Sequence, residues 1–98
     1  MVLEVTTFRL LADVDDETFL ARDKAVQTEV FSNATPGYLR RTTAKSADNE
    51  WLVVVLWERE VDIDEFNARI LTNDTQLEFD ELIDRSSIRN KRYSDIGD

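Results

Sequence analysis

Residues 51–57 read WLVVVLW, seven apolar residues entered from Glu50 and left through Glu58, Arg59 and Glu60. The run is too short to cross a membrane, where roughly 20 apolar residues are needed. Three consecutive valines flanked by Leu and Trp favour a β-strand. A strand turns alternate side chains to opposite faces. Trp51, Val53, Val55 and Trp57 therefore share one face, and Leu52, Val54 and Leu56 the other. Both faces are apolar, so each needs a cover.

The rest of the chain is read outward from this strand. Residues 2–11 (VLEVTTFRLL) are rich in β-formers and form a first strand, with Leu3 and Val5 on one parity and Phe8 and Leu10 on the other. Asp15 is a helix N-cap, with Asp16 and Glu17 at the positive end of the helix dipole. Phe19, Val26 and Val30, widened by Leu20 and Phe31, give that helix an apolar stripe over about 15–32. The Pro and Gly of SNATPG (32–37) end it. YLRRTTAK (38–45) is a second strand, SADNE (46–50) a polar hairpin, and WLVVVLW the third strand. Asp62 with Glu65 resembles a capping box, and Ile63, Phe66 and Ile70 lie on one helix face. TNDT (72–75) interrupts that helix and re-caps a shorter one carrying Phe79, Leu82 and Ile83. SSIRNKRY (86–93) is a fourth strand and SDIGD a tail.

The order β-α-β-β-α-β is the split βαβ pattern of a ferredoxin-like α+β sandwich. Both helices cover one face of a four-stranded antiparallel sheet, and nothing within the chain covers the other. A monomer would then show polar residues on that second face. The first and third strands carry apolar residues there instead. The expected cover is a second copy, packed sheet to sheet in a homodimer.

Composition narrows the function. Ninety-eight residues make one domain, spanning 1–98, and such a chain buries about 60 to 65% of its unfolded surface. There is no cysteine and no histidine. This removes disulfides, thiolate and imidazole metal sites, and Cys or His nucleophiles. No metal or other cofactor is expected, and a reducing cytoplasm is the expected location. The N-terminus has neither a basic leader nor an apolar segment of signal length. The net charge is −9, which disfavours nucleic-acid backbones and anionic membranes as partners. Of the basic residues nine are Arg and three Lys; an acid-rich, lysine-poor surface is one solution to staying soluble at high salt, and the alternative is that the acidic surface simply discourages aggregation.

The stretches EVTTFRL, FLARDKAVQTEV, TPGYLRRTTA, EWLVVVLWE and LIDRSSIRNKRY, in this order and covering nearly the whole chain, resemble the dimeric α+β barrel superfamily. Within it the likeness is to the antibiotic-biosynthesis-monooxygenase-like (ABM-like) domains. The resemblance implies a homodimeric barrel and a ligand cavity between helices and sheet. It also implies a function: a cofactor-independent monooxygenase acting on a phenolic or polycyclic small molecule. The alternative is a non-catalytic dimer that binds an apolar ligand or serves as a stress or accessory protein. In the haem-degrading branch a pocket Trp stands near the end of the third strand, where this chain has Trp57. That branch also uses an Asn late in the first strand, where Thr7 and Phe8 stand here, and an iron-binding His that this chain lacks. Haem breakdown by that mechanism is therefore not expected.

Candidate site residues follow. Phe8 and Trp57 form the aromatic wall of the cavity or belong to the plain core; a buried indole N–H asks for a partner. Asp23 and Gln27, four apart, stack on one helix face. Asp23 lies on the apolar stripe, where a carboxylate is costly unless paired or wetted. It is either a cavity carboxylate that orients a substrate hydroxyl or acts as general base, or the partner of a strand arginine (Arg9, Arg40 or Arg41). Arg40 and Arg41 point to opposite faces of their strand. Tyr38 and Tyr93 lie at strand ends. There is no phosphate loop, nucleophile elbow or nicotinamide fingerprint.

Overall fold

A computed structural model describes residues 1–31 and 34–96. Strands β1 (Val2–Leu10), β2 (Tyr38–Lys45), β3 (Trp51–Trp57) and β4 (Ile83–Ser94) form one sheet in the order β2-β3-β1-β4. Every neighbouring pair is antiparallel. Helices α1 (Asp16–Ala25), α2 (Glu60–Ile70) and α3 (Asp74–Asp80) supply the second layer. This is the expected ferredoxin-like α+β architecture. Among the described residues, no helix is long and apolar enough to cross a membrane.

Strand β3 decides which face the helices take. Trp51, Val53, Val55 and Trp57 are buried, while Leu52, Val54 and Leu56 are half-buried. Register carries the split across the sheet. Val2, Glu4, Thr6 and Phe8 of β1 pair with Trp57, Val55, Val53 and Trp51, so these eight side chains share the helix-covered face. Arg41, Thr43 and Lys45 of β2 pair with Val55, Val53 and Trp51 and join them. The open face carries Leu3 and Val5 opposite Leu56 and Val54. It is rimmed by Arg40, Arg89, Lys91 and Tyr93.

The helix-covered face holds an aromatic core. Phe19 is fully buried, with ring centroids 4.6 Å from Trp51, 5.2 Å from Phe79 and 5.7 Å from Phe8. A second cluster gathers Phe31, Phe66 and Trp57, with 4.7 Å between Phe31 and Phe66 and 5.1 Å between Trp57 and Phe66. Such tilted pairs add to the hydrophobic gain of burial.

Helix α1 begins where the sequence places it: the Asp15 carboxylate accepts from the Thr18 N–H at 2.8 Å. It ends differently. The α-helix stops at Ala25, and Val26–Val30 form a π-helical turn closed by Phe31 N–H to the Val26 carbonyl at 3.1 Å. The widened turn keeps both Val26 and Phe31 in the core, whereas an unbroken α-helix would carry Phe31 away from Val26's face. Leu20, expected on the stripe, is half exposed.

The start of α2 also departs from expectation. Its N-cap is Arg59, not Asp62; Asp62 lies within the first turn, and its carboxylate accepts from the Arg59 backbone N–H at 3.1 Å. The same carboxylate receives the Arg59 guanidinium at 2.7 Å. Asp62 is buried against Gly37, whose φ of +76° and missing Cβ make room; a Cβ there would meet Asp62 Oδ2 at 2.1 Å. In the third helix the apolar triad divides. Phe79 lies within α3, Leu82 follows it, and Ile83 already opens β4, because the spacing i, i+3, i+4 spans a helix end as readily as a helix.

Candidate functional site

A cavity of about 270 Å³ lies between the sheet and the helices. Its apolar wall is Phe8 and Val53 with Val55 on the sheet, and Phe31, Phe66 and Phe79 above it. Its polar wall is unusual for a domain of this size. Glu4 and Thr6 of β1 stand on the helix-covered parity, where Val2 and Phe8 are fully buried. Asn90 of β4 joins them, donating to Thr6 Oγ1 at 2.8 Å and to Glu4 Oε2 at 3.4 Å. Asn67 of α2 and Gln76 and Asp80 of α3 face them from the helical layer.

Arg41 is the cation of the site. Its side chain is only 3% exposed and lines the cavity. The guanidinium carbon stands 5.3 Å from the Phe31 ring centroid and 5.8 Å from that of Phe79, within cation–π range. Nη2 donates to Asp23 Oδ1 at 2.7 Å, and Nη1 to Thr43 Oγ1 at 3.3 Å. Thr43 Oγ1 donates in turn to the same Asp23 oxygen at 3.0 Å. Arg41 Nε is buried and, among the described residues, has no hydrogen-bond partner. A buried guanidinium N–H without an acceptor is costly, so this edge of the arginine is poised for one.

Asp80 is the anion. Gln76 Nε2 donates to its Oδ1 at 2.9 Å, a pair four residues apart on α3. Burial raises the Asp80 pKa above the ordinary aspartate value of 3.8, outweighing the Gln76 hydrogen bond and the attraction of Arg85. A carboxylate raised this way in a cavity is a better base than an exposed one.

The sequence-derived candidates divide. Phe8 lines the cavity. Asp23 does not; of its alternatives, the structure contains the ion pair with a strand arginine, Arg41. Gln27 lies outside the lining too, and donates to the Tyr38 hydroxyl at 3.0 Å. Trp57 is fully buried on the same face of β3 but outside the lining, packed on Phe66 and on Tyr38 at 6.1 Å, and its indole N–H has no partner among the described residues. Of the two adjacent arginines, Arg41 reaches the cavity and Arg40 the open face. Glu4, Thr6, Asn67, Gln76, Asp80 and Asn90 were not candidates. The signal for the first two was there: polar residues on the buried parity of a strand mark a wetted interior. No group of three or more acidic residues among the described residues is arranged to hold a metal.

No protein-family profile matches the chain, and no curated protein is significantly similar in sequence. Solved structures are. SnoaB from Streptomyces nogalater, a cofactor-independent oxygenase, superposes with a TM-score of 0.78 at 13% identity, covering 99% of this chain and 94% of SnoaB. Rv0793 from Mycobacterium tuberculosis gives 0.75 at 17% identity over 99% and 96%. A variant of MhuD with two manganese protoporphyrin IX molecules in each active site gives 0.69 at 14% identity over 100% and 97%. The chain thus shares its fold with these three proteins along nearly its whole length.

Proposed function

We propose that the chain is a single-domain, cofactor-independent monooxygenase that binds a planar phenolic or polycyclic molecule in the cavity between sheet and helices. The observation that carries this reading is a single cavity lining that holds a buried cation, Arg41, and a carboxylate, Asp80, together with Phe8, Phe31, Phe66 and Phe79. The aromatic wall suits a flat ring system. Asp80, with its raised pKa, takes a proton from an acidic C–H or O–H of the substrate. The Arg41 charge faces the ring and stabilises the delocalised anion that results, which lowers the barrier to forming it. The carbanion then gives its electrons to molecular oxygen. One oxygen atom stays on the ring as a quinone carbonyl, and the other leaves as water with two hydrogens of the substrate, one from the ring C–H and one from the hydroxyl (both from the ring CH2 in an anthrone tautomer). Asp23 serves as a positioning residue that holds Arg41, Phe8 packs the ring, and Trp57 with Gln27 supports the wall from behind. The likeness to SnoaB agrees with this chemistry.

The working unit in this reading is a homodimer in a reducing cytoplasm. Leu3, Val5, Leu52, Val54 and Leu56 form an apolar strip on the open face, and a stable interface needs about 800 Å² from each partner. Sedimentation at micromolar concentration should give twice the 11.4 kDa of the chain. A single species of chain mass would refute the dimer.

One observation favours the second reading, a non-catalytic binder: Asp23 and Arg41 already neutralise each other. The two readings part in one assay. Anthrone-like phenols incubated under air should yield quinone absorbance, at a rate at least about tenfold lower in Asp80→Asn. Saturable quenching of tryptophan fluorescence without quinone would sink the oxygenase and leave the binder.

A further inference from the structure

The cavity does not end at Asp80. A second hollow of about 250 Å³ shares Asn67, Ile70, Gln76 and Asp80 with it and adds Leu71 and Leu77. The shared residues lie on α2 and α3, so the two spaces adjoin along these helices. The inner chamber is aromatic, the outer aliphatic, and the hydrogen-bonded Gln76–Asp80 pair lines both. Leu71 is 73% exposed and Leu77 is 42% exposed. Two leucines left facing water beside that polar pair give up burial free energy that a ligand would recover.

We infer that the ligand is an elongated one: a hydroxylated aromatic ring in the inner chamber, with an aliphatic substituent next to the hydroxyl that passes Asp80 and lies along Leu71 and Leu77. The hydroxyl then meets the Gln76–Asp80 pair, and the ring faces Arg41. This deepens the proposed function and rests only on its claim that the cavity binds a ligand, not on turnover. A ring with a substituent on its far edge would press that group into the sheet at Val53 and Val55, so the position of the chain is part of the specificity.

Calorimetric titration with 1-naphthol and its 2-propyl and 2-hexyl derivatives tests this. For the native chain, the hexyl compound should bind at least about tenfold more tightly than 1-naphthol, since each half-buried methylene contributes about twofold. In the double variant Leu71→Gln, Leu77→Gln that gain should fall below about threefold. The affinity for 1-naphthol and the melting temperature, both read in parallel, should not change. An equal chain-length gain in the variant, or none in the native chain, overturns the outer site while leaving the inner cavity intact. Failure of 1-naphthol itself to bind removes the ligand cavity and this inference with it. Binding of the whole series without quinone formation removes only the oxygenase chemistry.

Discussion

Arg41 shows how a charge is held inside a small apolar core. Its charge is buried at 3% exposure and balanced by Asp23, itself 14% exposed. Removing one member of such a pair strands the other, at a cost of about 3 kcal/mol. Asp23→Ala should therefore lower the unfolding free energy by about that amount in urea titrations, and Asp23→Leu combined with Arg41→Met should recover most of it. Asp62 makes the opposite use of a carboxylate. The Arg59 side-chain hydrogen bond, its charge and the Arg59 backbone N–H hold the Asp62 pKa below 3.8, despite burial. Its contribution to stability is thus full above that value and is lost as pH falls through the lower, folded-state value. The stability gap between the native chain and Asp62→Asn should be constant at neutral pH and close in acid. Asp80 is shifted the other way, by burial. Its ionised form is penalised in the fold, so its effect on stability improves as pH falls through its raised value. If Asp80 is the base of the proposed oxygenase, turnover needs its ionised form and should decline over the same range, above the pH where an ordinary aspartate titrates. Asp80→Asn should remove that acid limb from the rate profile.

At the scale of elements, α3 is short and depends on its cap. The Asn73 side chain accepts from the Gln76 N–H at 2.9 Å, and the helix bears Gln76, Phe79 and Asp80 in the cavity wall. Asn73→Ala should cost about 1 kcal/mol and weaken 1-naphthol binding as well, where a merely distant cap would leave affinity unchanged. The elements were legible in the sequence to different degrees. Strands β2 and β3 were clear because turn chemistry brackets β2 and opens β3, with Gly37 before β2 and Asn49 at φ 68° in the hairpin, whereas β4 opens at Ile83, three residues before its expected start. The π-helical turn was hidden, since its widened hydrogen bonds leave no mark on an apolar stripe beyond the odd five-residue step from Val26 to Phe31. Asp62 was misread as a cap because a first-turn acid and a capping acid look alike until the backbone shows which N–H they bind. The cavity was hardest to read. Its acid, Asp80, pairs with Gln76 at a helical spacing that equally describes a solvated surface. Asp23 drew attention for the correct reason, a carboxylate on an apolar helix stripe, and its partner is Arg41 of β2, one of the three strand arginines that the sequence offered.

For the molecule as a whole, the sheet has one satisfied face and one that is not. If the open strip of Leu52, Val54 and Leu56 is a subunit seam, Val54→Asp should convert a species of twice the chain mass into one of 11.4 kDa while circular dichroism stays native-like. A retained dimer in that variant would place the seam elsewhere. The strict alternation of β3 has a further consequence, for what lengths the chain can tolerate. Each face accepts replacement by another apolar side chain of similar size, so the strand can drift in identity. It cannot drift in length by one. Loss of a single residue at its centre would turn half of the strand over, exposing one tryptophan to water and thrusting a leucine toward the core on its side of the break, because the side-chain period is two. Insertions and deletions should accumulate in the hairpin before β3 and be purged within it, a pattern that a library of single-residue deletions scored for soluble expression would display directly.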